Sequence, residues 1–139
     1  MKIFRLVTGT LTGGVISGLC VATVSWIVIF NSDPGFGVEG PHPAWAHLAA
    51  VIGALMGFFV GLPLRLVITL VNQGKIVGTF LGILEGLILL VWGSQTGGHP
   101  DIVYPTVPLL ISFLPAGAVS GFLTALIVSR VLEEEPAKE

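Results

Sequence analysis

The chain contains four apolar stretches, and each one is long enough to cross a lipid bilayer as a helix. About 20 predominantly apolar residues are needed to span the ~30 Å hydrocarbon core. The stretches run from about Phe4 to Phe30, Trp45 to Val71, Lys75 to Ser94 and Val107 to Leu132. The sequence therefore predicts an all-α polytopic membrane protein, with four transmembrane helices in a single domain, residues 1–139.

The composition argues against a water-soluble domain. Charged residues make up 10% of the chain, whereas soluble domains carry about 25%, and the mean hydropathy is +0.96. The 19 glycines are compatible with membrane helices, where glycine lets backbones approach closely. Six basic residues scattered along the chain form no patch for nucleic acid, so the lipid bilayer is the predicted environment.

The basic residues predict the orientation of the helices. They lie at the two termini and beside the short turn between the second and third stretches, at Lys2, Arg5, Arg65, Lys75, Arg130 and Lys138. The connections 31–44 and 95–106 contain no lysine or arginine. The positive-inside rule therefore predicts a multi-pass plasma membrane protein of the bacterial inner-membrane type, with cytoplasmic N- and C-termini and both long loops outside.

Three short motifs of the first half recur in the same order in the second half. The matching segments are 9–13 and 78–82, 40–43 and 97–100, and 53–58 and 117–122. Since each half contains two predicted spans, the copies share one orientation and form a parallel repeat of helical hairpins. We expect repeat 1 at 1–73 and repeat 2 at 74–132, followed by a charged cytoplasmic tail at 133–139.

Every predicted helix carries small residues at four-residue spacing, which places them on one face. The predicted packing glycines are Gly9, Gly13, Gly53, Gly57, Gly61, Gly78, Gly82, Gly86, Gly117 and Gly121. We call such a row of small residues a glycine ladder. The absence of large side chains along it lets a neighbouring helix approach closely and gain dispersion contacts. One hypothesis is packing inside a compact four-helix bundle. The other is that some ladders face other chains, as in a homo-oligomer or a docked subunit.

Glu85 lies near the middle of the third apolar stretch, about 13 Å beyond Ile76 along the helix axis. A carboxylate at this depth is costly, so it is a functional hypothesis by default. Two arrangements reduce the cost. Glu85 is protonated and donates a hydrogen bond, or it pairs with Arg65.

Arg65 lies six residues before the end of the second stretch, about 9 Å deep. It falls on the same helix face as Gly57 and Gly61, which directs it into the bundle. Three interpretations remain open: a pair with Glu85, extension of the long side chain to the headgroups, or contact with a partner chain.

The three histidines lie on the predicted outer side, at His42, His47 and His99. Imidazole binds several divalent metals, so a metal site is one hypothesis, although the spacing matches no recognised signature. The favoured interpretation is a pair of His-Pro turns before membrane entry. We predict no cofactor.

The sequence contains no phosphate-binding loop, nucleophile elbow, paired catalytic carboxylates or zinc-protease helix, so a non-enzymatic protein is predicted. The leading hypothesis is an accessory or assembly subunit of a larger membrane complex, docking through small-residue helix faces. Glu85 and Arg65 would form its buried polar contact. The alternative is a small oligomeric transporter or channel in which Glu85 binds a proton or cation.

A duplicated glycine-rich hairpin with a mid-membrane carboxylate resembles, in architecture, the proteolipid rings of rotary ATPases. Those proteins carry the carboxylate on the second helix of a hairpin, whereas Glu85 is on the first helix of the second hairpin. Small multidrug exporters also have four spans and one glutamate, but theirs is in the first span. The chain is therefore assigned to neither family.

Overall fold

The computed structural model describes residues 2–31, 43–71, 74–96 and 106–133, and nearly all of them are helical. The helices are α1 (Lys2–Phe30), α2 (Pro43–Val71), α3 (Gly74–Thr96) and α4 (Thr106–Glu133). All four are long and apolar enough to cross a membrane. The prediction of an all-α chain with four potential membrane spans is confirmed, and the predicted helix ends differ from the observed ones by at most two residues.

Residues at the helix ends explain where three of the elements begin or stop. Asn31 caps α1, because its backbone N–H and its side-chain Nδ2 both donate to the Ile27 carbonyl, at 3.1 and 2.7 Å. This bonding satisfies a carbonyl that has no partner within the helix. Pro43 is the first residue of α2, where a missing N–H is harmless. Gly74 opens α3 with a φ of +81°, a conformation that favours glycine.

Neighbouring helices run antiparallel. On α1 and α2, Gly9 lies beside Thr69 and Gly18 lies beside Ala54. The α3 and α4 helices are paired in the same way, and α4 also packs along α1, while α2 closes the bundle against α3. The start of α1, the start of α3 and the end of α4 therefore lie together. We call this the basic end, because it carries Arg5, Lys75 and Arg130, and we call the opposite end the loop end.

The backbones of α3 and α4 approach more closely than those of α1 and α2. A Cβ added to Gly82 would overlap the Gly117 carbonyl oxygen, and one added to Gly121 would overlap that of Gly78. On the other pair, a Cβ added to Gly18 would lie 2.8 Å from the Ala54 carbonyl oxygen. Only glycine fits where α3 and α4 cross.

The outward faces of the bundle are apolar. Large side chains such as Phe4, Phe59, Phe80 and Ile111 are mostly exposed. An apolar surface of this extent is rare on soluble monomers, and it fits a chain surrounded by lipid. Inside, Val21, Leu89 and Phe113 form a buried apolar cluster.

Candidate functional site

A cluster of four polar side chains occupies the interior of the bundle, and each helix contributes one. The cluster, which we call the polar centre, consists of Ser17 on α1, Arg65 on α2, Glu85 on α3 and Ser120 on α4. All four are completely buried. Buried charges are found in proteins when they are paired and hydrogen-bonded. Arg65 and Glu85 form an ion pair. Only some of the N–H groups of Arg65 are hydrogen-bonded to the described residues.

Arg65 links α2 to α3 and α4 through one nitrogen. Its Nη2 donates to Glu85 Oε2, forming the ion pair, and to Ser120 Oγ at 2.6 Å. The stem of the arginine passes against α1, because a Cβ on Gly13 would lie 2.9 Å from Arg65 Cγ. The side chain is therefore enclosed within the bundle and does not extend to the membrane surface.

Glu85 completes the contact with α1 through its other oxygen. Ser17 Oγ hydrogen-bonds Glu85 Oε1. A Cβ on Gly61 would lie 2.9 Å from that same oxygen, so the absence of a side chain at Gly61 leaves room for the carboxyl group. The structure thus brings together the two ionisable residues singled out from the sequence.

The hydroxyl of Ser17 has one hydrogen but two acceptors. Besides Glu85 Oε1, it lies 2.8 Å from the Gly57 carbonyl oxygen. A serine hydroxyl donates one hydrogen bond and accepts others. If Glu85 carries a proton on Oε1, that proton is donated to Ser17 Oγ and the serine donates to Gly57. The contacts of Ser17 are therefore compatible with a protonated as well as an ionised Glu85.

The hydrogen bonding of Arg65 is incomplete. Its Nε and Nη1, which together carry three N–H bonds, are buried and have no acceptor within residues 2–31, 43–71, 74–96 and 106–133. The hydroxyl oxygen of Thr10 on α1 is also buried and has no hydrogen-bond partner among these residues. A buried donor without a partner costs about 1–3 kcal/mol, so the polar centre is balanced in charge but not in hydrogen bonds.

The two sides of the polar centre differ. Toward the loop end lies the apolar cluster, in which Val21 and Leu89 follow Ser17 and Glu85 by one helical turn. Toward the basic end lies a cavity of about 140 Å³ that reaches Gly13 and Thr124. The polar centre is therefore covered by hydrocarbon on its loop-end side. The cavity on the other side has an almost entirely apolar lining that includes none of the four polar-centre residues.

The predicted packing glycines all lie against neighbouring helices of the same chain. For each of them, an atom of another helix lies within 4 Å of the position that a Cβ would take: Gly9, Gly13, Gly53, Gly57, Gly61, Gly78, Gly82, Gly86, Gly117 and Gly121.

The hypothetical metal site falls mostly outside the described residues. His42 and His99 are among the residues that the structure does not describe. His47 is exposed near the start of α2, with its ring edge-on to Trp26 at a centroid distance of 6.4 Å. The described part of the chain contains no group of three metal-ligating side chains.

Sequence reasoning missed the two serines of the polar centre. Ser17 continues the α1 ladder four residues after Gly13, and Ser120 lies between Gly117 and Gly121. Their positions on small-residue faces were a usable signal. That signal is weak, because serine in a helix often bonds its own backbone, as Ser129 does with Leu126.

No protein-family model, curated protein or solved structure matches this chain. The contacts of the polar centre are therefore the evidence that bears on function.

Proposed function

We propose that this chain is a non-enzymatic accessory or assembly subunit of a larger membrane complex. The observation that supports it is the enclosed contact between Arg65 and Glu85, with Ser17 and Ser120 completing it from the other two helices. One cluster ties all four helices together, and the two charges compensate each other. Such a centre fixes the positions of the helices and suits a rigid bundle that other subunits can recognise.

The membrane orientation is part of the proposal. Arg5, Lys75 and Arg130 lie at the same end of the bundle, which supports a cytoplasmic basic end under the positive-inside rule. The loops 31–44 and 95–106 would then be outside, as expected for a plasma membrane protein of the bacterial inner-membrane type.

Glycine-ladder packing belongs to the proposal as the means of holding each hairpin together. The close approach of Gly82 to Gly117 and of Gly18 to Ala54 supports it, and so does the repetition of the motifs in the two hairpins. Because these glycines already contact helices of the same chain, docking would use the outer apolar faces. Phe59 on α2 and Phe80 on α3 are examples of side chains on those faces.

Purification from the native membrane in mild detergent, followed by native mass spectrometry, tests the accessory function. We expect a stoichiometric complex with other membrane subunits. Recovery of the chain alone, as a defined homo-oligomer, would contradict the proposal.

A second candidate function is a small oligomeric transporter or channel in which Glu85 binds a proton or cation. The complete burial of the Glu85 carboxyl group among all four helices favours it, because the contacts of Ser17 suit both the protonated and the ionised form of Glu85. Flux measured in liposomes separates the two functions. Loss of proton- or cation-driven flux in Glu85→Gln, with assembly unchanged, would support transport and exclude a purely accessory role.

A further inference from the structure

A groove follows the seam between α1 and α4 in the half of the bundle near the basic end. It is the cavity of about 140 Å³ that reaches Gly13, and we call it the α1/α4 groove. Its walls are formed by α1 from Phe4 to Ile16 and by α4 from Thr124 to Val128, and Thr69 of α2 also lines it. Phe4 and the α1 threonines beside it are exposed, so the groove opens on the outer face of the bundle, where lipid lies.

The lining is apolar even though it contains threonines. The hydroxyls of Thr69 and Thr124 donate to carbonyls of their own helices, both at 2.8 Å. Their methyl groups are the atoms nearest to Gly9 and Gly13, which have no side chains to fill the space. An apolar cavity of about 150 Å³ stays free of water and takes up apolar molecules instead. In a bilayer the molecule at hand is a lipid acyl chain.

The length of the groove fits one acyl chain. Its α1 wall extends from Phe4 to Ile16, which is about 18 Å along a helix axis. One leaflet contributes about half of the ~30 Å hydrocarbon core. The groove therefore accommodates a chain of the leaflet at the basic end and stops near the middle of the bilayer.

Positive charge lies at the basic-end mouth of the groove. Arg5 is the only charged side chain among the described residues that line it. Gly13 lies beside Thr124, so in this antiparallel pair Arg5 is level with position 132, and Arg130 lies within one helical turn of it. The Arg130 side chain is exposed. Glu133, the last residue of α4, lies further from the bilayer centre. Two guanidinium groups near each other are well suited to bind a phosphate.

We propose that the α1/α4 groove binds one anionic phospholipid of the leaflet at the basic end. An acyl chain of the lipid lies in the groove against Gly9 and Gly13, and Arg5 and Arg130 bind its phosphate group. The lipid thereby fills the seam between the two hairpins. The site requires that the chain lie in a bilayer, but it depends on neither the accessory nor the transport function.

Native mass spectrometry tests the site on the full-length protein, released from nanodiscs that contain equal amounts of phosphatidylglycerol and phosphatidylcholine. We expect one phosphatidylglycerol molecule per chain, retained several-fold more often than phosphatidylcholine. Equal retention of the two lipids, or retention of neither, would overturn the proposal.

A variant that fills the groove identifies where the lipid binds. Thr12 lines the groove and is exposed, so Thr12→Phe should abolish the retention of phosphatidylglycerol. Leu11→Phe is the matched control, because Leu11 is exposed on the same helix and does not line the groove. A dimer of the wild type that Thr12→Phe dissociates would place a second copy in the groove, against the proposal.

Variants at the mouth test the charge. Arg5→Gln should lower the ratio of retained phosphatidylglycerol to phosphatidylcholine about five-fold, the effect of one basic residue at an anionic surface. Arg5→Lys should preserve most of the ratio. Lys75→Gln removes a charge from the same end of the bundle but outside the groove. If it lowers the ratio as much as Arg5→Gln does, the preference comes from the general charge of this end and the proposal fails.

A measurement on the wild type avoids any loss of folding in a variant. Phosphatidylglycerol with a spin label on its acyl chain should broaden the amide signals of Gly9 and Gly13 in a nuclear magnetic resonance spectrum. Gly78 is the matched control, because it is the counterpart of Gly9 in the second hairpin and packs against Ala125 outside the groove. Equal broadening at Gly9 and Gly78 would show only bulk lipid and refute the site.

Discussion

The Arg65 guanidinium lies against the Glu85 carboxyl group in the interior of the bundle, and neither side chain is exposed. These residues come from neighbouring helices and are 20 positions apart in the chain. A buried pair of this kind is not in itself evidence of high stability, because desolvation offsets the attraction. Its importance is that each residue makes the other tolerable inside the membrane.

We predict strong coupling between substitutions at the two positions. Arg65→Met or Glu85→Leu alone leaves an uncompensated buried charge and should lower the free energy of unfolding by about 3–5 kcal/mol. The double variant has no buried charge at this place, so its loss should be much smaller than the sum. Equilibrium unfolding in mixed micelles, applied to the wild type, both single variants and the double variant, measures this coupling as a double-mutant cycle. Additive losses would show that the pair does not act as a unit.

Substitution of Gly82 should be far more damaging than substitution of Gly9. A Cβ at Gly82 overlaps the backbone of Gly117, whereas one at Gly9 lies 3.1 Å from the Thr69 methyl group, a contact that a shift of a few tenths of an ångström relieves. Gly82→Ala should therefore destabilise the bundle by about 1–3 kcal/mol or more through overpacking.

Gly9→Ala should be nearly neutral, since alanine favours the helix by about 0.5–1 kcal/mol. Unfolding of both variants under identical conditions gives the comparison. Equal stability of the two would mean that α3 and α4 are not in close backbone contact at Gly82.

The helices were predictable from the sequence because lipid leaves the backbone few options. A spanning segment must satisfy its own N–H and C=O groups, so a long apolar run is a helix. The importance of Glu85 and Arg65 was predictable for a related reason, namely the cost of charge in an apolar segment. Both inferences require only local sequence.

The partners of these charges were not predictable in the same way. Ser17 and Glu85 are 68 positions apart, and Arg65 and Ser120 are 55 apart. Their contact depends on the rotation and register of α1 and α4, which are set by side-chain packing across the whole bundle. A serine gives no hydropathy signal strong enough to mark it as a partner in advance.

Gly74 should be sensitive to substitution for conformational and not steric reasons. Its φ is +81°, and no neighbouring atom lies within 4 Å of an added Cβ. Alanine in this left-handed region costs about 1–2 kcal/mol, so Gly74→Ala should lower the unfolding temperature. Gly74→Asn should be milder, because asparagine adopts this conformation more readily. If both variants match the wild type, the turn between α2 and α3 tolerates another backbone conformation.

Ser120 should contribute to stability through Arg65 and not through its own helix. Its hydroxyl donates to the Gly117 carbonyl at 2.9 Å and also accepts from Arg65 Nη2 at 2.6 Å. Ser120→Ala removes an acceptor from a buried cation that already lacks partners, so a loss of about 1–3 kcal/mol is expected. Ser129 is the matched control, because its hydroxyl donates to Leu126 at 2.9 Å within the same helix.

Ser129→Ala should therefore change stability by no more than about 0.5 kcal/mol. The sharper test repeats Ser120→Ala in the Arg65→Met, Glu85→Leu background. There the guanidinium is gone, and the penalty of the serine substitution should shrink to that of Ser129→Ala. If the full penalty remains in that background, Ser120 acts through packing or its own helix, and the hydrogen bond from Arg65 contributes little.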